Sequence, residues 1–239
     1  MVSISGSKKL KRQMAPLFWR ITRKDKRFVI TTRPGPHGKH VAVPTAVFLR
    51  DVTGMVTSLR EAKSTIYEGK VKIDGVVRKS LHHAIGLMDV VELDGVADAY
   101  RMVPANGKLL TPIRITDASE RTKKLARVKS KTTISGGRMQ VGLHDGRSII
   151  TDVDVKVGDA CLLQVPGQKI LEVIRFEEGC QALVTRGINA GRVGRVSAIE
   201  PGTFILPKRV LLELEEREIE IPADIIMPIG REEPVITVR

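Results

Sequence analysis

The sequence predicts a multi-domain α+β protein: an extended basic N-terminal arm, a small helix-and-sheet unit, an all-β central unit and a β-rich C-terminal unit. Three observations support this class. The chain of 239 residues exceeds the usual size of one domain. Helical periodicity is confined to a stretch between residues 44 and 69, whereas short alternating segments with turn signals follow it. The positive charge is concentrated at the N-terminus.

The first 40 residues form a polycationic arm. They contain 11 Lys and Arg and one acid, a net charge of +10 out of +13 for the whole chain. Pro16 and the run Arg33-Pro34-Gly35-Pro36 resist helix and sheet, so residues 1–42 are expected to be extended. This charge density is typical of a segment that binds RNA phosphates, because each neutralised phosphate releases a counterion. The candidate contacts are Lys8, Lys9, Lys11, Arg12, Arg20, Arg23, Lys24, Arg27, Arg33, His37 and Lys39.

A solvated tail and a targeting segment are the alternatives for the arm. Lysine dominates its first cluster and no small-residue cleavage signature follows, which disfavours targeting. No membrane span is predicted, because the longest mostly apolar stretch, residues 41–49, is interrupted by Pro44 and Thr45. Association with a membrane surface is not predicted either, because the apolar residues of the arm make no long amphipathic stripe. Trp19 is expected to anchor the arm on another part of the protein, with stacking on a base as the other option.

The composition argues against catalysis, metals and cofactors. The two cysteines, Cys161 and Cys180, can form neither a disulfide framework nor a zinc site, and they indicate a reducing compartment. His82-His83 has no Cys or carboxylate at metal-ligand spacing. The pair His144-Asp145 invites a catalytic interpretation, but no nucleophile can be placed beside it and Asp-Gly is usually a turn. The sequence therefore predicts a non-enzyme without metal or cofactor.

Residues 43–105 are predicted to form the first folded unit. A short helix is expected over residues 46–51, and a second from Val56 with Gly69 as its stop. Val71 and Ile73 then alternate with lysines, and Asp74-Gly75 is a strong hairpin signal. A later strand is expected over residues 86–93.

This unit resembles the small αL RNA-binding domain found in a small-subunit ribosomal protein, tyrosyl-tRNA synthetases and pseudouridine synthases. The resemblance rests on Glu61-Ala62-Lys63, Gly69 and Val71-Lys72-Ile73-Asp74-Gly75. It implies that two helices and the following turn grip the backbone of structured RNA, with contacts from Lys63, Lys70 and Lys72. Leu59 stands where the family often has Arg, which puts tight contacts from that helix in doubt. An ordinary small α+β core with surface lysines is the alternative.

Residues 106–176 are predicted to form an all-β central domain. Asn106-Gly107 marks the junction, and short strands alternate with turns from there on. In a strand of period 2, Arg127, Lys129 and Lys131 lie on one face, which makes them a second candidate phosphate contact. A solvated strand edge protected by lysine explains them equally well.

The C-terminal residues 177–239 contain the most specific motif. Gly187, Gly191 and Gly194 follow G-x-x-x-G-x-x-G, which matches neither nucleotide-binding glycine pattern. The stretch resembles the KOW motif, a strand–loop–strand inside an SH3-like barrel. The resemblance implies that the loop and the strand after it touch RNA or protein, with Arg192 and Arg195 as contacts. The acidic residues 211–221 are expected to form a hairpin facing away from RNA.

Taken in order along the chain, these segments resemble the archaeal and eukaryotic S4e family of small-subunit ribosomal proteins. The resemblance implies a non-enzymatic, cytoplasmic constituent of the ribosome. Its implied partners are 16S-type rRNA and neighbouring small-subunit proteins, with no membrane and no small-molecule substrate.

Two other function classes remain open from the residues alone. A pseudouridine synthase can carry an αL domain, but it needs a much larger catalytic domain with an active-site Asp. A transcription elongation or antitermination factor can carry a KOW module and bind RNA and polymerase away from the ribosome.

Overall fold

The computed structural model describes residues 9–105, 108–214 and 217–238. Over these ranges the chain is mostly β, with nineteen strands and two short α-helices. The strands form three five-stranded sheets and two two-stranded sheets. This architecture agrees with the predicted multi-domain α+β class. Within the same ranges, no helix is long and apolar enough to span a membrane.

The N-terminal arm folds back on itself. Strand β1 (Leu10–Lys11) pairs antiparallel with β2 (Phe28–Val29). Trp19 is fully buried, and its Nε1 donates a hydrogen bond to the carbonyl of Ala42 at 2.9 Å. Trp19 also shares a buried apolar cluster with Phe48 and Ile66 of the first unit, so the prediction that it anchors the arm on another part of the protein is confirmed. The expectation of an extended arm is wrong over this segment, because apolar side chains such as Ile21 reach the same buried cluster as the first unit.

Two short helices follow the arm. A two-stranded sheet pairs β3 (Val43–Pro44) with β6 (Ala84–Ile85). Helix α1 (Thr45–Val47) continues as a π-helical turn over Phe48–Val52, and helix α2 spans Leu59–Tyr67. The two predicted helices are therefore present, although the second begins three residues later than Val56.

Local side chains explain where α2 begins and ends. The Ser58 hydroxyl accepts a hydrogen bond from the backbone N–H of Glu61 at 3.2 Å. In return, the carboxylate of Glu61 accepts one from the N–H of Thr57 at 2.9 Å. These contacts satisfy N–H groups that the first helical turn leaves free. Gly69, at φ +83°, ends the helix as predicted, with its N–H bonded to the carbonyl of Ile66.

The first five-stranded sheet has the order β5-β4-β7-β8-β9. Asp74 and Gly75, at φ +51° and +74°, form the predicted hairpin turn between β4 and β5. The later strand begins at Val90, because residues 86–89 form a turn. The strands of this sheet are β4 (Val71–Ile73), β5 (Val76–Val77), β7 (Val90–Leu93), β8 (Ala99–Ala105) and β9 (Lys108–Ile115).

The first sheet extends beyond the expected end of its unit. Strand β9 pairs with β8 from Ala99, opposite Ile115, to Ala105, opposite Lys108. One sheet therefore includes strands from both sides of the expected boundary between residues 105 and 106, and Asn106-Gly107 falls outside the described residues.

The second sheet has the order β12-β11-β10-β13-β14, in which the long central strand β10 pairs with both β11 and β13. A β-bulge interrupts β10, because Val128 lies opposite Leu143 but Ser130 lies opposite Gly142. Lys129 is the extra residue. The strands are β10 (Lys123–Thr133), β11 (Met139–Leu143), β12 (Ser148–Thr151), β13 (Ala160–Gln164) and β14 (Lys169–Ile174).

The third sheet has the order β18-β17-β16-β15-β19 and contains the predicted strand–loop–strand and the acidic hairpin. Gly191 allows its loop to pack against the first sheet, since a Cβ there would lie 2.6 Å from the carbonyl oxygen of Pro104. The strands are β15 (Gln181–Val184), β16 (Val193–Glu200), β17 (Arg209–Glu213), β18 (Glu218–Pro222) and β19 (Ile226–Gly230).

One of the buried apolar clusters spans all three sheets. It contains Val103 from the first sheet and Met88 from the turn before β7, Leu125 from the second sheet, and Leu183 and Met227 from the third. Burial of these side chains holds the three sheets in a fixed arrangement.

A buried ion network also joins the first and second sheets. The Nζ atom of Lys124, on β10, lies 2.7 Å from Asp74 Oδ2, 2.5 Å from Asp89 Oδ1 and 3.0 Å from Asp145 Oδ2. All four side chains are 3% exposed or less. Burial opposes the charge on Lys124, yet the three carboxylates raise its pKa above the ordinary value.

Two further residues complete this network. His37 of the arm contacts Asp89 at 3.1 Å, and Arg147 contacts both Asp74 and Asp145. Burial acts against the charged carboxylate of Asp89, but Lys124 and His37 hold its pKa below the usual range. The arm and two sheets therefore meet at one set of compensated buried charges.

Candidate nucleic-acid interface

The arm forms a loop between β1 and β2 whose side chains line a groove of about 360 Å³, which we call the arm groove. Six cations and one carboxylate line it, a net charge of +5. A concave surface with this excess of positive charge complements an RNA phosphate backbone. The charged lining residues are Lys11, Arg12, Arg23, Lys24, Asp25, Lys26 and Arg27. Five of the predicted contacts are thus brought together, and Lys26 joins them.

Arg12 holds the loop in shape. Its side chain is buried, with Nε donating to the carbonyl of Lys26 and Nη1 to that of Thr22, each at 3.0 Å. A third contact joins Nη2 to Asp25 at 3.5 Å. The sequence grouped Arg12 with the RNA contacts, but the structure uses its donors inside the arm because the loop carbonyls need partners.

Arg23 has a similar part in the loop. Its Nη1 and Nη2 donate to the carbonyls of Gln13 and Ala15 at 2.7 and 3.0 Å. Arg23 stays half-exposed, so it can support the loop and also face a ligand.

The other cations of the arm groove point to solvent. Lys11, Lys24, Lys26 and Arg27 are all exposed. The guanidinium of Arg27 lies 5.3 Å from the centre of the Phe28 ring, and Lys9 lies 5.6 Å from it. Each contact is of the cation–π type, which orients the cation without neutralising its charge.

The remaining predicted residues of the arm are divided. Arg20, Arg33 and Lys39 are exposed and outside the arm groove. His37 is buried against Asp89, so it belongs to the ion network rather than to an exposed interface. Lys8 lies outside the described residues.

The predicted cations near α2 lie at the surface of the first unit. Lys63 is exposed and lies 5.6 Å from the ring of Tyr67. Lys70 is paired with Glu68 at 2.6 Å, and Lys72 is half-buried.

The three predicted cations of β10 do not share one face. The bulge at Lys129 shifts the alternation of the strand, so the side chains beyond it change sides. Arg127 donates to the carbonyls of Ala223 and Asp224 in the turn between β18 and β19, and Lys131 pairs with Asp154 at 3.1 Å. Lys129 is exposed. The prediction of a single cationic strand face is therefore wrong.

Arg192 and Arg195 are both exposed but line different grooves. Arg192 borders a groove with Pro104 and Ile113 of the first sheet. Arg195 borders another with Gln181, and its Nε donates to the carbonyl of Gly179 at 3.1 Å. Arg192 lies just before β16 and Arg195 lies within it, at an odd spacing that accounts for the separation.

Sequence reasoning missed three charged residues. Lys26 was left out of the contact set although its neighbours were included. Arg186 precedes the KOW glycines and is exposed. Lys124 lies in a run of basic residues, and nothing local distinguishes it from a surface lysine.

His144 has a structural position. Its Nδ1 accepts a hydrogen bond from the backbone N–H of Arg127 at 3.1 Å, and its Nε2 lies 3.2 Å from the carbonyl of Leu87. These partners require a neutral ring with the proton on Nε2. Burial, reinforced by the charge of Lys124, lowers the pKa of His144 to about 4.

The substitution His144→Gln should reduce the loss of unfolding free energy that the wild type shows as the pH falls from 6.5 to 4. The wild-type His144 has a folded pKa near 4 against an ordinary value of 6.5, so the unfolded chain binds the proton first. Its contribution is complete above pH 6.5 and is lost as the pH falls through 4, a change of about 3 kcal/mol. Urea unfolding at several pH values measures this. The exposed His40→Gln variant should keep the wild-type slope, and an unchanged slope in His144→Gln would contradict the assignment.

Among the described residues, the potential metal ligands are scattered and the cysteines are buried. No group of three or more His, Cys, Asp or Glu side chains in these ranges is arranged to hold a metal ion. Cys161 and Cys180 are buried and free, and burial raises the pKa of Cys161 to about 11. Both cysteines therefore remain protonated thiols in the apolar interior.

Comparisons with known proteins cover the arm and the folded units. The family model described as Ribosomal family S4e matches residues 96–170, and the RS4NT (NUC023) domain matches residues 5–40. The small ribosomal subunit protein eS4 of Ignicoccus hospitalis is 40% identical over 250 residues, 99% of this chain and 97% of that protein. The protein of the same name from Staphylothermus marinus is 36% identical over 248 residues, with the same coverage.

A solved structure is also similar. The crystal structure of the 30S ribosomal protein S4e from Thermoplasma acidophilum matches with a TM-score of 0.67 at 33% identity. The match covers 79% of this chain and 95% of that one. The likeness in sequence and in structure thus extends well beyond any single motif.

Proposed function

The chain belongs to the S4e family of ribosomal proteins, and from this membership we propose that it is a non-enzymatic constituent of the small ribosomal subunit in the cytoplasm. It binds 16S-type rRNA and contacts neighbouring small-subunit proteins, and it takes no cofactor and no small-molecule substrate. The observation that carries the rRNA proposal is the arm groove, where six cations face one carboxylate.

The arm groove binds RNA by charge and by shape. Its exposed cations, Lys11, Lys24, Lys26 and Arg27, displace counterions from the RNA backbone. Arg12 and the half-exposed Arg23 hold the loop through backbone carbonyls, so less conformational entropy is lost on binding. A folded arm anchored by a buried tryptophan therefore acts as part of a rigid surface.

The αL-type and KOW segments supply the further contacts in this proposal. Around α2 and its turn, Lys63, Lys70 and Lys72 contact the RNA backbone. On the third sheet, Arg192 and Arg195 contact RNA in two separate grooves. These contacts set the position of the protein on the rRNA, while the arm supplies most of the sequence-independent affinity. The exposed Lys9, Arg20, Arg33, Lys39 and Lys129 add to the electrostatic attraction.

Sedimentation of a native lysate tests the functional assignment. The chain, followed by immunoblot across a sucrose gradient, should migrate with small subunits and with complete ribosomes. After subunits are washed at increasing KCl, it should be released progressively, because phosphate contacts weaken with salt. Migration with RNA polymerase rather than with small subunits would overturn the assignment.

A further inference from the structure

A cavity of about 500 Å³ lies where the arm and the three sheets meet. The arm contributes His37 and Val41, and the first sheet and the turn before β7 contribute Leu110 and Leu87. The second and third sheets contribute Val128 and Met227. Its volume falls within the range of roughly 300–1,000 Å³ typical of small-molecule sites. The cavity depends on the relative placement of all these units.

The charges around this cavity are mostly positive. Arg127, Lys129 and Arg186 line it, against the single carboxylate of Asp224. The Nε–H of Arg127 is buried without a hydrogen-bond partner, although its terminal nitrogens bond to two carbonyls. A buried N–H group without a partner raises the free energy of the folded protein. A ligand atom that accepts a hydrogen bond from it removes this cost.

Two of these cations, Arg127 and Arg186, also act on each other. Burial lowers the pKa of Arg127; the charge of Asp224 opposes this and that of Arg186 adds to it. Lys129 and Arg186 are exposed and form no ion pair with the described residues. Like charges held close to an apolar wall favour a ligand that brings negative charge to the rim and apolar surface to the interior.

We propose that this cavity receives one nucleotide extruded from the rRNA, with its base against the apolar walls and its phosphate beside Arg127, Lys129 and Arg186. The inference rests on the proposed function. An unstacked base offers a flat, largely apolar surface, and protein recognition of single-stranded RNA commonly encloses such bases. An acidic peptide fits less well, because its charged side chain would enter the apolar interior.

The surroundings of the cavity support the same occupant. Lys39 is exposed two residues before Val41, and Arg33 is exposed earlier in the same segment. A strand of RNA that follows the arm cations therefore passes close to the opening. His144 also lines the cavity. Both of its ring nitrogens are already hydrogen-bonded to the protein, so the ring offers a ligand packing surface but no polar contact.

The proposal is tested by a substitution that places a large side chain at the opening of the cavity. Val157 lines the cavity and is 61% exposed, so Val157→Trp can block the space with little effect on the core. Val153 is 47% exposed in the same connection and does not line the cavity, so Val153→Trp is the matched control. The full chain and both variants are bound to transcribed small-subunit rRNA. Filter binding gives Kd, chemical probing gives reactivity at each nucleotide, and thermal unfolding checks the fold.

The expected result is specific to one variant. Val157→Trp should weaken rRNA binding about tenfold, the scale of losing one enclosed base. It should also abolish the reactivity change at one nucleotide while the rest of the footprint remains. Val153→Trp should match the wild type.

Other outcomes separate the cavity from the arm. If Val157→Trp binds and protects rRNA as the wild type does, the nucleotide proposal fails while the arm proposal stands; an acidic protein segment as occupant would give this result. An equal loss in both variants assigns the effect to the loop and also overturns the proposal. If the wild type does not bind rRNA, the proposed function fails first.

Discussion

Lys124→Met should destabilise the protein by about 3–5 kcal/mol, because it removes the positive charge that three buried carboxylates share. Arg147 still offsets part of the remaining charge, which keeps the loss within that range. For a chain of this size the loss corresponds to a fall in Tm of about 10 °C. Urea unfolding and thermal melts measure it directly.

The control for this variant lies next to it on the same strand. Lys123→Met removes the same group from a half-exposed position outside the ion network, and it should cost less than about 1 kcal/mol. Adding Asp145→Asn to Lys124→Met should recover part of the lost stability, since it removes one uncompensated charge. Equal destabilisation by the Met variants at 123 and 124 would show that the network does not hold the sheets together.

The local parts of the fold follow from short stretches of sequence. Gly69 ends α2 and Asp74-Gly75 turns the first hairpin, because each requires a backbone conformation that few residues adopt. The contacts of Lys124 could not be predicted in this way. Its partners Asp74 and Asp89 lie 50 and 35 residues earlier in the chain, and only the packing of two sheets brings them together.

The candidate interface shows the same division. The density of cations along residues 1–40 predicts the arm groove, since charge of one sign in a short segment must lie close together. Arg12 bonds to a carbonyl of the arm loop and His37 contacts the buried Asp89. These roles depend on tertiary contacts, and nothing in the local sequence indicates them. Strict alternation of side chains along a strand likewise does not predict the bulge in β10. The prediction that Arg127, Lys129 and Lys131 share one face therefore failed.

Neutralising the arm groove should weaken rRNA binding about 100-fold at physiological salt without unfolding the protein. The variant replaces four exposed cations by Gln and leaves Arg12, Arg23 and Trp19 in place, because these support the loop and the core. Deleting the arm would instead expose a buried cluster and confuse affinity with folding. The four substitutions are Lys11→Gln, Lys24→Gln, Lys26→Gln and Arg27→Gln.

A second quadruple variant matches the change in net charge elsewhere. It replaces four exposed cations outside the arm groove, all in the central unit: Arg138→Gln, Lys156→Gln, Lys169→Gln and Arg175→Gln. Its affinity should fall only through the loss of general attraction, by less than about tenfold. Unfolding midpoints of both variants should stay close to the wild-type value, since all eight side chains are exposed.

The salt dependence of rRNA binding tests the role of the arm groove most directly. For each phosphate contact, the logarithm of affinity changes with the logarithm of salt concentration by about −0.7 to −0.9. Between 50 and 200 mM KCl, a range over which such contacts weaken strongly, the arm-groove variant should therefore show a slope shallower than wild type by about 3. The control variant should differ by less than about 1. Equal slopes in the two variants would contradict the assignment of the arm groove as the principal rRNA contact.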